Sequence, residues 1–443
     1  MSTTPATTQT RTPLPEGTVP VGVALLVAGV ATYAFFKVGT VAVGGAEEFA
    51  PIASMWFAVF ALAPGFFLPL EQELGRALSH RRAVGEGGRP VVRKVVGLGG
   101  LLMAVVALAI LAASPLIATS YFAGDWLMVV ALVAAFAAYA PAHMARGVCS
   151  GSGRFTEYAV VLGSDGIVRI LLCVLLAVVG VTAAGAYGLA IAISPLFAVA
   201  YVYRRGALQT EPGPPAEWNE VTPNLGWLLL GSVCAAGLLN AGPITASLLT
   251  DDSQNSLVTQ FSYGVLLARI PLFLFQAVQA ALLPRLSRQA ARGEFDEFRS
   301  GLKRLMMVVL AVGVVGTAGA FVLGPWALQI VYDADLSGRT LAMLALSSAV
   351  YMLALATAQA VIALQGHALV AVGWAIGVLG FVLGTWLSGP EDEVFRRIEI
   401  GLVVSSAAAL VTFALALRHR LSSGTLPNQG SVMDAITDMP FET

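Results

Sequence analysis

The sequence predicts an all-α, polytopic membrane protein with twelve transmembrane helices in two six-helix lobes around a central cavity. Three observations lead to this prediction. Of the 443 residues, 57% are hydrophobic and only 12% charged; the apolar residues come in long blocks; and the blocks form two similar sets of six. So few charged groups cannot cover a water-facing surface, which excludes a soluble globular fold.

The apolar blocks are counted against the roughly 20 residues that a helix needs to cross a bilayer. The first six lie near 19–43, 49–70, 95–114, 126–144, 158–181 and 184–203. The second six lie near 225–249, 257–283, 305–327, 340–364, 368–388 and 400–417. Residues 1–18, rich in Thr and Pro, lack the charged start of a signal peptide and are predicted to be a disordered cytoplasmic tail. Residues 420–443 form a second predicted tail.

An internal duplication divides the chain into an N-terminal lobe, 19–205, and a C-terminal lobe, 225–419, joined by a polar linker, 206–224. Leu68-Pro69 and Leu283-Pro284 close the second block of each half, 215 residues apart, and a long basic loop follows each pair. With six blocks per half, both lobes enter the membrane from the same side, so they are related by a two-fold axis along the membrane normal. Such lobes can rock about a shared cavity, which is the geometry of a transporter.

The basic residues of the loops predict the orientation in the membrane, because cytoplasmic loops are enriched in Lys and Arg. If the N-terminus is cytoplasmic, 19 of the 25 basic residues lie in cytoplasmic segments and only 3 outside. The outer loops are instead acidic. We therefore predict a multi-pass protein of the bacterial cytoplasmic membrane with both termini in the cytoplasm. The net charge of −1 gives no basic field for nucleic acid, so no nucleic-acid partner is expected.

Four charged residues fall within the predicted spans: Lys37, Asp165, Arg169 and Arg269. An arginine in mid-helix costs roughly 2.5–3.5 kcal/mol on insertion scales, so each needs a partner, water or a ligand. Arg169 either pairs with Asp165, four residues earlier on the same helix, or faces a substrate. Arg269 has no acidic neighbour on its own helix. It either binds an anionic ligand or pairs with another helix, for example through Asp165. Lys37 either snorkels to the outer surface or lines the cavity.

Helix breakers are the next feature, since proline frees backbone carbonyls that a membrane tolerates only where neighbours or water satisfy them. The run 240–243 (Asn-Ala-Gly-Pro) is predicted to interrupt the seventh span, and Asn240 is assigned to the cavity. Prolines fall in or at the ends of several other spans. Any single one is also explained by the general frequency of proline in membrane helices.

The cysteines and histidines point to no reactive centre. Cys149, Cys173 and Cys234 lie in or beside apolar stretches without paired spacing, and the four histidines are scattered. This pattern predicts neither a disulfide framework nor a metal site. We expect no catalytic residue, no metal and no cofactor.

Four runs of sequence resemble bacterial polysaccharide flippases. They are FFLPLEQELGR at 66–76, RGVCSGSGRF at 146–155, RIPLFLFQ at 269–276 and LLPRLS at 282–287. That family belongs to the multidrug/oligosaccharidyl-lipid/polysaccharide exporter superfamily, whose members have twelve or fourteen helices in two lobes. The resemblance implies flipping of a polyprenyl-pyrophosphate-linked oligosaccharide from the inner to the outer leaflet, for cell-surface polysaccharide biosynthesis. Three arginines in these runs are assigned to a cytoplasmic gate: Arg76, Arg154 and Arg285.

The expected partners are the lipid-linked oligosaccharide, membrane lipids and polysaccharide-assembly proteins. The expected substrate site consists of Arg169, Arg269, Asp165, Lys37 and Asn240, because charge-assisted hydrogen bonds from arginine suit a pyrophosphate. Two other functions stay open. A drug or metabolite exporter of the same superfamily would favour acidic cavity groups. A membrane glycosyltransferase would use an acidic pair such as Glu47-Glu48, but the outer loops are too short to form an enzyme domain. We therefore expect a transporter and not an enzyme.

Overall fold

The computed structural model describes most of the chain. The described residues are 18–221, 225–272, 275, 286, 289–290, 292–389 and 393–422. Both predicted tails lie outside the described residues except for Thr18, where the first helix begins, and 420–422, where the last helix ends. The described part is α-helical with short connections, as long apolar blocks in a bilayer require, because a helix satisfies every backbone group internally.

The first half of the chain forms seven helices. Their bounds are α1 Thr18–Val43, α2 Ala46–Ala83, α3 Arg89–Ala112, α4 Ser114–Tyr121, α5 Trp126–Gly151, α6 Phe155–Val178 and α7 Ala184–Arg204. Six of them match the predicted spans. The short α4 falls in the predicted outer loop between the third and fourth spans, where Pro115 occupies one of the first positions of a new helix.

The second half repeats the pattern after a single turn of helix in the linker. The bounds are α8 Trp218–Val221, α9 Leu225–Leu249, α10 Asn255–Ala268, α11 Phe295–Tyr332, α12 Gly338–Ala363, α13 His367–Leu387 and α14 Val394–Ser422. Eleven helices of the described residues are long and apolar enough to cross a membrane. The remaining predicted span, the eighth at 257–283, includes most of α10, and most of its second half lies outside the described residues.

Helix lengths differ from the prediction mainly at the ends that carry basic residues. The second span was predicted at 49–70, but α2 runs from Ala46 to Ala83, and α11 likewise begins at Phe295 instead of 305. Hydropathy marks only the part of a helix inside hydrocarbon, whereas the backbone hydrogen bonds continue into the aqueous layer. The prediction that 240–243 interrupts the seventh span is wrong, because α9 is continuous from Leu225 to Leu249 with Pro243 inside it.

Helix packing follows the two halves of the sequence. In the first half α1 packs on α6, α2 on α5, and α7 on both α5 and α6; in the second, α13 packs on α14 and α9, and α12 on α11 and α14. Close approach depends on small residues: a Cβ on Gly166 of α6 would lie 3.0 Å from the Cβ of Ala31 and 3.2 Å from the Cα of Ala28 on α1. Helix α2, which contains three prolines, also packs on α9 and α10 and so joins the halves.

Candidate functional site

The two halves meet along a seam between α1 and α2 on one side and α9 to α11 on the other. We call the end of the bundle where α1 ends and α2 begins the acidic end, after Glu47 and Glu48, and the opposite end the basic end. Near the acidic end hydrogen bonds cross the seam. Tyr33 donates to the carbonyl of Leu266 at 2.7 Å, and Thr259 donates to the carbonyl of Ala46 at 2.6 Å.

Three more hydrogen bonds cross the seam in the same region. The hydroxyls of Ser54 and Ser247 lie 2.6 Å apart, Thr40 bonds to Tyr263, and Tyr332 donates to the carbonyl of Tyr33 at 3.3 Å. The seam is therefore closed at these contacts, and a cavity of about 290 Å³ lined by Ser54, Thr119, Ser247 and Asp251 lies beside them at the acidic end.

Arg269 lies at the C-terminus of α10, in the seam, and is 5% exposed. Its Nη1 donates to Oδ1 of Asn240 at 3.1 Å, and its Nη2 donates to the carbonyl of Leu239. Leu239 stands four residues before Pro243, which has no N–H to give it. Arg269 thus supplies the hydrogen bond that Pro243 withholds from α9. The alternative that Arg269 pairs with Asp165 is not what the structure shows.

Asn240 of α9 reaches across the seam to α2. Its Nδ2 donates to the carbonyl of Ala236 at 2.9 Å and to the carbonyl of Phe60 at 3.4 Å. Phe60 stands four residues before Pro64, so its carbonyl also lacks the usual helix partner. The same arrangement therefore occurs on both helices, where a proline frees a carbonyl and a polar side chain from a neighbouring helix occupies it.

Arg169 lies on α6, 2% exposed, and forms a second polar centre with Asp165. The shortest N–O distance between the two, Nη2 to Oδ2, is 3.6 Å, which makes an ion pair without a direct hydrogen bond. Asp165 instead accepts hydrogen bonds from Tyr139 at 3.0 Å and Ser194 at 2.5 Å. Within the described residues, Nε and Nη1 of Arg169 are buried without a hydrogen-bond partner. Such donors are costly to leave unpaired.

The two arginines face aromatic rings one turn apart on α2. The guanidinium carbon of Arg169 lies 4.8 Å from the ring centroid of Phe60, and that of Arg269 lies 5.4 Å from the centroid of Phe57. Cation–π attraction of this kind partly offsets the cost of a buried guanidinium. Helix α2, which joins the two halves, therefore contacts both deep arginines.

The remaining predicted site residues lie apart from this pair. Lys37, on α1, is half-buried, and its side chain meets no hydrogen-bonding or ionic partner in the described part of the chain. Arg76 donates to the carbonyl of Glu220 at 2.5 Å and pairs with Glu73 at 2.7 Å. Arg154 donates to the carbonyls of Ala207 and Gln209. The two predicted gate arginines thus contact the linker, and Arg285 lies outside the described residues.

A buried cluster that the sequence did not reveal lies toward the basic end of α2. Glu71 Oε2 accepts hydrogen bonds from Arg146 at 2.8 and 3.0 Å and lies 2.8 Å from Nδ1 of His143. Tyr158 donates to Glu71 Oε1 at 3.2 Å. The three-residue spacing of His143 and Arg146 is the one available signal, since it places both on one face of α5.

A small cavity lies beside Arg269. It measures about 30 Å³, room for one or two water molecules. Its walls come from four elements and include Leu239, Gly242, Ser347, Tyr351 and Ser406. Among the residues that the structure describes, no group of three or more His, Cys, Asp or Glu side chains could hold a metal ion.

Sequence relatives of the chain carry no assigned activity. No protein-family model matches it. It is 26% identical over 430 residues to an uncharacterized Mycobacterium tuberculosis protein, Rv1510, covering 92% of this chain and 94% of that protein. It is 24% identical over 349 residues to an uncharacterized Mycobacterium bovis protein, Mb3654, covering 74% and 76%.

Solved structures with the same architecture are MATE transporters. An inward-facing multidrug resistance MATE transporter of the MOP superfamily superposes with a TM-score of 0.69, at 14% identity, over 92% of this chain and 98% of that one. A point mutant of the Vibrio cholerae MATE transporter VcmN gives 0.64 at 16% identity, over 93% and 98%. An outward-facing MATE transporter gives 0.64 at 13% identity, over 92% and 96%. The chain therefore has the two-lobed, twelve-helix membrane fold of these transporters, and the predicted fold class is confirmed.

Proposed function

We propose that the protein is an alternating-access transporter that flips a polyprenyl-pyrophosphate-linked oligosaccharide from the inner to the outer leaflet. The observation that carries this proposal is the presence of one deep arginine in each half, of which Arg169 has two buried guanidinium nitrogens without a partner among the described residues. An anion is the ligand that would satisfy them, and phosphate oxygens accept charge-assisted hydrogen bonds from guanidinium well.

The closed seam at the acidic end supports one step of the proposed transport cycle, the loading of substrate from the opposite, basic end. Five hydrogen bonds cross the seam there, and the TM-score is higher against the inward-facing MATE structure than against the outward-facing one. If the basic end is cytoplasmic, as its Lys and Arg residues predict, this state would load substrate from the cytoplasm. We place the protein in the bacterial cytoplasmic membrane, with both termini cytoplasmic and polysaccharide-assembly proteins as partners.

The test is flipping of a fluorescent, short-chain polyprenyl-pyrophosphate-linked sugar in liposomes that contain the purified protein. Arg169→Gln and Arg269→Gln should each slow flipping about ten- to a hundredfold, because each loses charge-assisted bonds of about 1.5–3 kcal/mol. Arg299→Gln is the matched control, since Arg299 lies on the surface and pairs with the exposed Asp296. Monodisperse elution with the parental melting temperature shows that a variant is folded.

Two results would contradict the proposal. One is parental flipping rates in both arginine variants. The other, in cells depleted of the protein, is unchanged lipid-linked oligosaccharide where we expect build-up on the inner leaflet.

A multidrug exporter is the second candidate. It is favoured by the partly buried carboxylate of Asp165, which accepts hydrogen bonds from Tyr139 and Ser194 and could serve a cationic ligand. The multidrug resistance MATE structures of the same fold point the same way. Efflux of ethidium by the reconstituted protein, without movement of the lipid-linked sugar, would decide for this candidate.

A further inference from the structure

We infer that Phe60 and Asn240 form a relay that couples the two deep arginines and links anion binding at Arg169 to opening of the acidic end. Phe60 contacts Arg169 with its ring and Asn240 with its carbonyl, and Asn240 in turn binds Arg269. The inference rests on the proposed function, because it names how the same site would control the seam.

The relay depends on two prolines. Pro64 denies an N–H to the carbonyl of Phe60, and Pro243 denies one to the carbonyl of Leu239. Asn240 occupies the first carbonyl and Arg269 the second. A proline kink is also where a helix bends most readily, so α2 and α9 can each move at the point where the relay crosses.

Asn240 uses both ends of one amide. Its nitrogen bonds to α2 and its oxygen to Arg269, and the side chain is 2% exposed. A movement of the Phe60 carbonyl therefore breaks its hydrogen bond with Nδ2 of Asn240. The Asn240 side chain is then held less firmly in the orientation in which its oxygen binds Arg269. Because the amide is buried, it cannot replace the lost bond with bulk water.

An anion bound to Nε and Nη1 of Arg169 would draw the guanidinium away from its present position against the ring of Phe60. Two charge-assisted hydrogen bonds together outweigh one cation–π contact, so the guanidinium follows the anion and the ring repacks. Because the ring and the carbonyl belong to one residue, four positions before Pro64, repacking of the ring strains the bond from Asn240 to that carbonyl.

The relay lies close to the closed end. Ser54 precedes Phe60 by six residues and Ser247 follows Asn240 by seven, about 9 and 10 Å along their helices. Loss of the α2–α9 bond at the relay thus acts about two turns from the serine pair that joins the same two helices. Anion binding at Arg169 would therefore weaken the contact between α2 and α9 at this serine pair.

The first arm of the test needs no ligand. In a cysteine-free background, Thr259→Cys places a thiol that is fully buried under Ala46 and reacts with a water-soluble maleimide only when the seam opens. Pro64→Ala supplies the missing N–H to Phe60 and displaces Asn240. Labelling should then rise about three- to fifteenfold, as expected for one membrane hydrogen bond. Pro69→Ala, on the same helix, is the control and should leave labelling unchanged.

The second arm adds farnesyl pyrophosphate as the probe and farnesol as its neutral control. The pyrophosphate should speed labelling of the Thr259→Cys protein, and Asn240→Ala should abolish that response. Asn255→Ala, on α10, serves as the matched amide control. Melting temperature and elution profile identify variants that fail to fold.

The outcomes separate the two proposals. A probe that binds without changing labelling overturns the relay and leaves the proposed function standing. A probe that does not bind contradicts the proposed role of Arg169, and the Pro64→Ala result alone then decides whether the relay holds the seam. Equal labelling in Pro64→Ala and Pro69→Ala overturns the relay.

Discussion

At the scale of single residues, the cost of burying charge explains which side chains hold the lobes in shape. Glu71 is 4% exposed, yet it accepts hydrogen bonds from Arg146 and Tyr158 and contacts His143. Removing one partner of a buried pair leaves the other charge uncompensated, which destabilises far more than removing both. The cluster is therefore a structural joint between α2, α5 and α6, distinct from the two deep arginines, Arg169 and Arg269.

We expect Glu71→Gln to destabilise the protein by about 3–5 kcal/mol, because Arg146 would keep its charge without a carboxylate. Thermal unfolding in detergent measures the change. Glu297→Gln, at an exposed position on α11, is the control and should unfold like the parent. Equal melting temperatures for the two variants would show that the cluster contributes little.

At the scale of elements, the linker is fixed to the N-terminal half by cationic side chains. Arg81, 3% exposed, donates to both carboxylate oxygens of Glu220, at 2.5 and 2.9 Å, and to the carbonyls of Pro214 and Pro215. Lys94 bonds to the carbonyl of Ala216. Because the linker segment 212–215 contains three prolines, its carbonyls have no helix partner. They can therefore accept hydrogen bonds from Arg and Lys side chains. The linker thus moves with the N-terminal half.

Glu220→Gln should release this segment, because the Arg81 pair loses its charge-assisted bonds of about 1.5–3 kcal/mol. Hydrogen–deuterium exchange of the amides between 207 and 221 should accelerate about ten- to a hundredfold. Glu217→Gln, three residues away and exposed, is the matched control. Unchanged exchange in Glu220→Gln would mean that the other contacts suffice to hold the linker.

Hydropathy predicted the helices well because bilayer thickness imposes a length on every span. It missed α4 and α8, which are too short for that rule, and it placed the start of α11 ten residues late. The wrong prediction of a break in α9 at 240–243 came instead from the presence of Pro243. A proline removes one hydrogen bond, and here Arg269 satisfies the freed carbonyl, so the helix continues.

At the scale of the whole molecule, local sequence determines the topology more completely than it determines the contacts of the site. The deep arginines could be predicted because a charge in a span is visible in the sequence. The pairing of Arg169 with Asp165, four residues earlier on the same helix, was one of the predicted alternatives. The contacts with Asn240 and Phe60 could not be predicted, since these residues lie on helices far apart in the chain. The Glu71 cluster was missed for the same reason: its carboxylate and its cation are 75 residues apart.

The predicted orientation is tested with single cysteines in intact cells. Asp251→Cys, at the acidic end, should react with a membrane-impermeant maleimide. Val84→Cys, exposed at the basic end, should react only after the membrane is permeabilised, because the basic loops should face the cytoplasm. The reverse pattern would invert the orientation and with it the direction of the proposed transport.

The five bonds across the acidic end have a common chemistry, since hydroxyl and carbonyl groups make all of them. Dissolved ions screen charges and leave such neutral pairs untouched, so ionic strength does not set how often this end opens. At about 0.6 kcal/mol each in a membrane, the five total about 3 kcal/mol. The binding free energy of a single ligand can offset a contribution of that size.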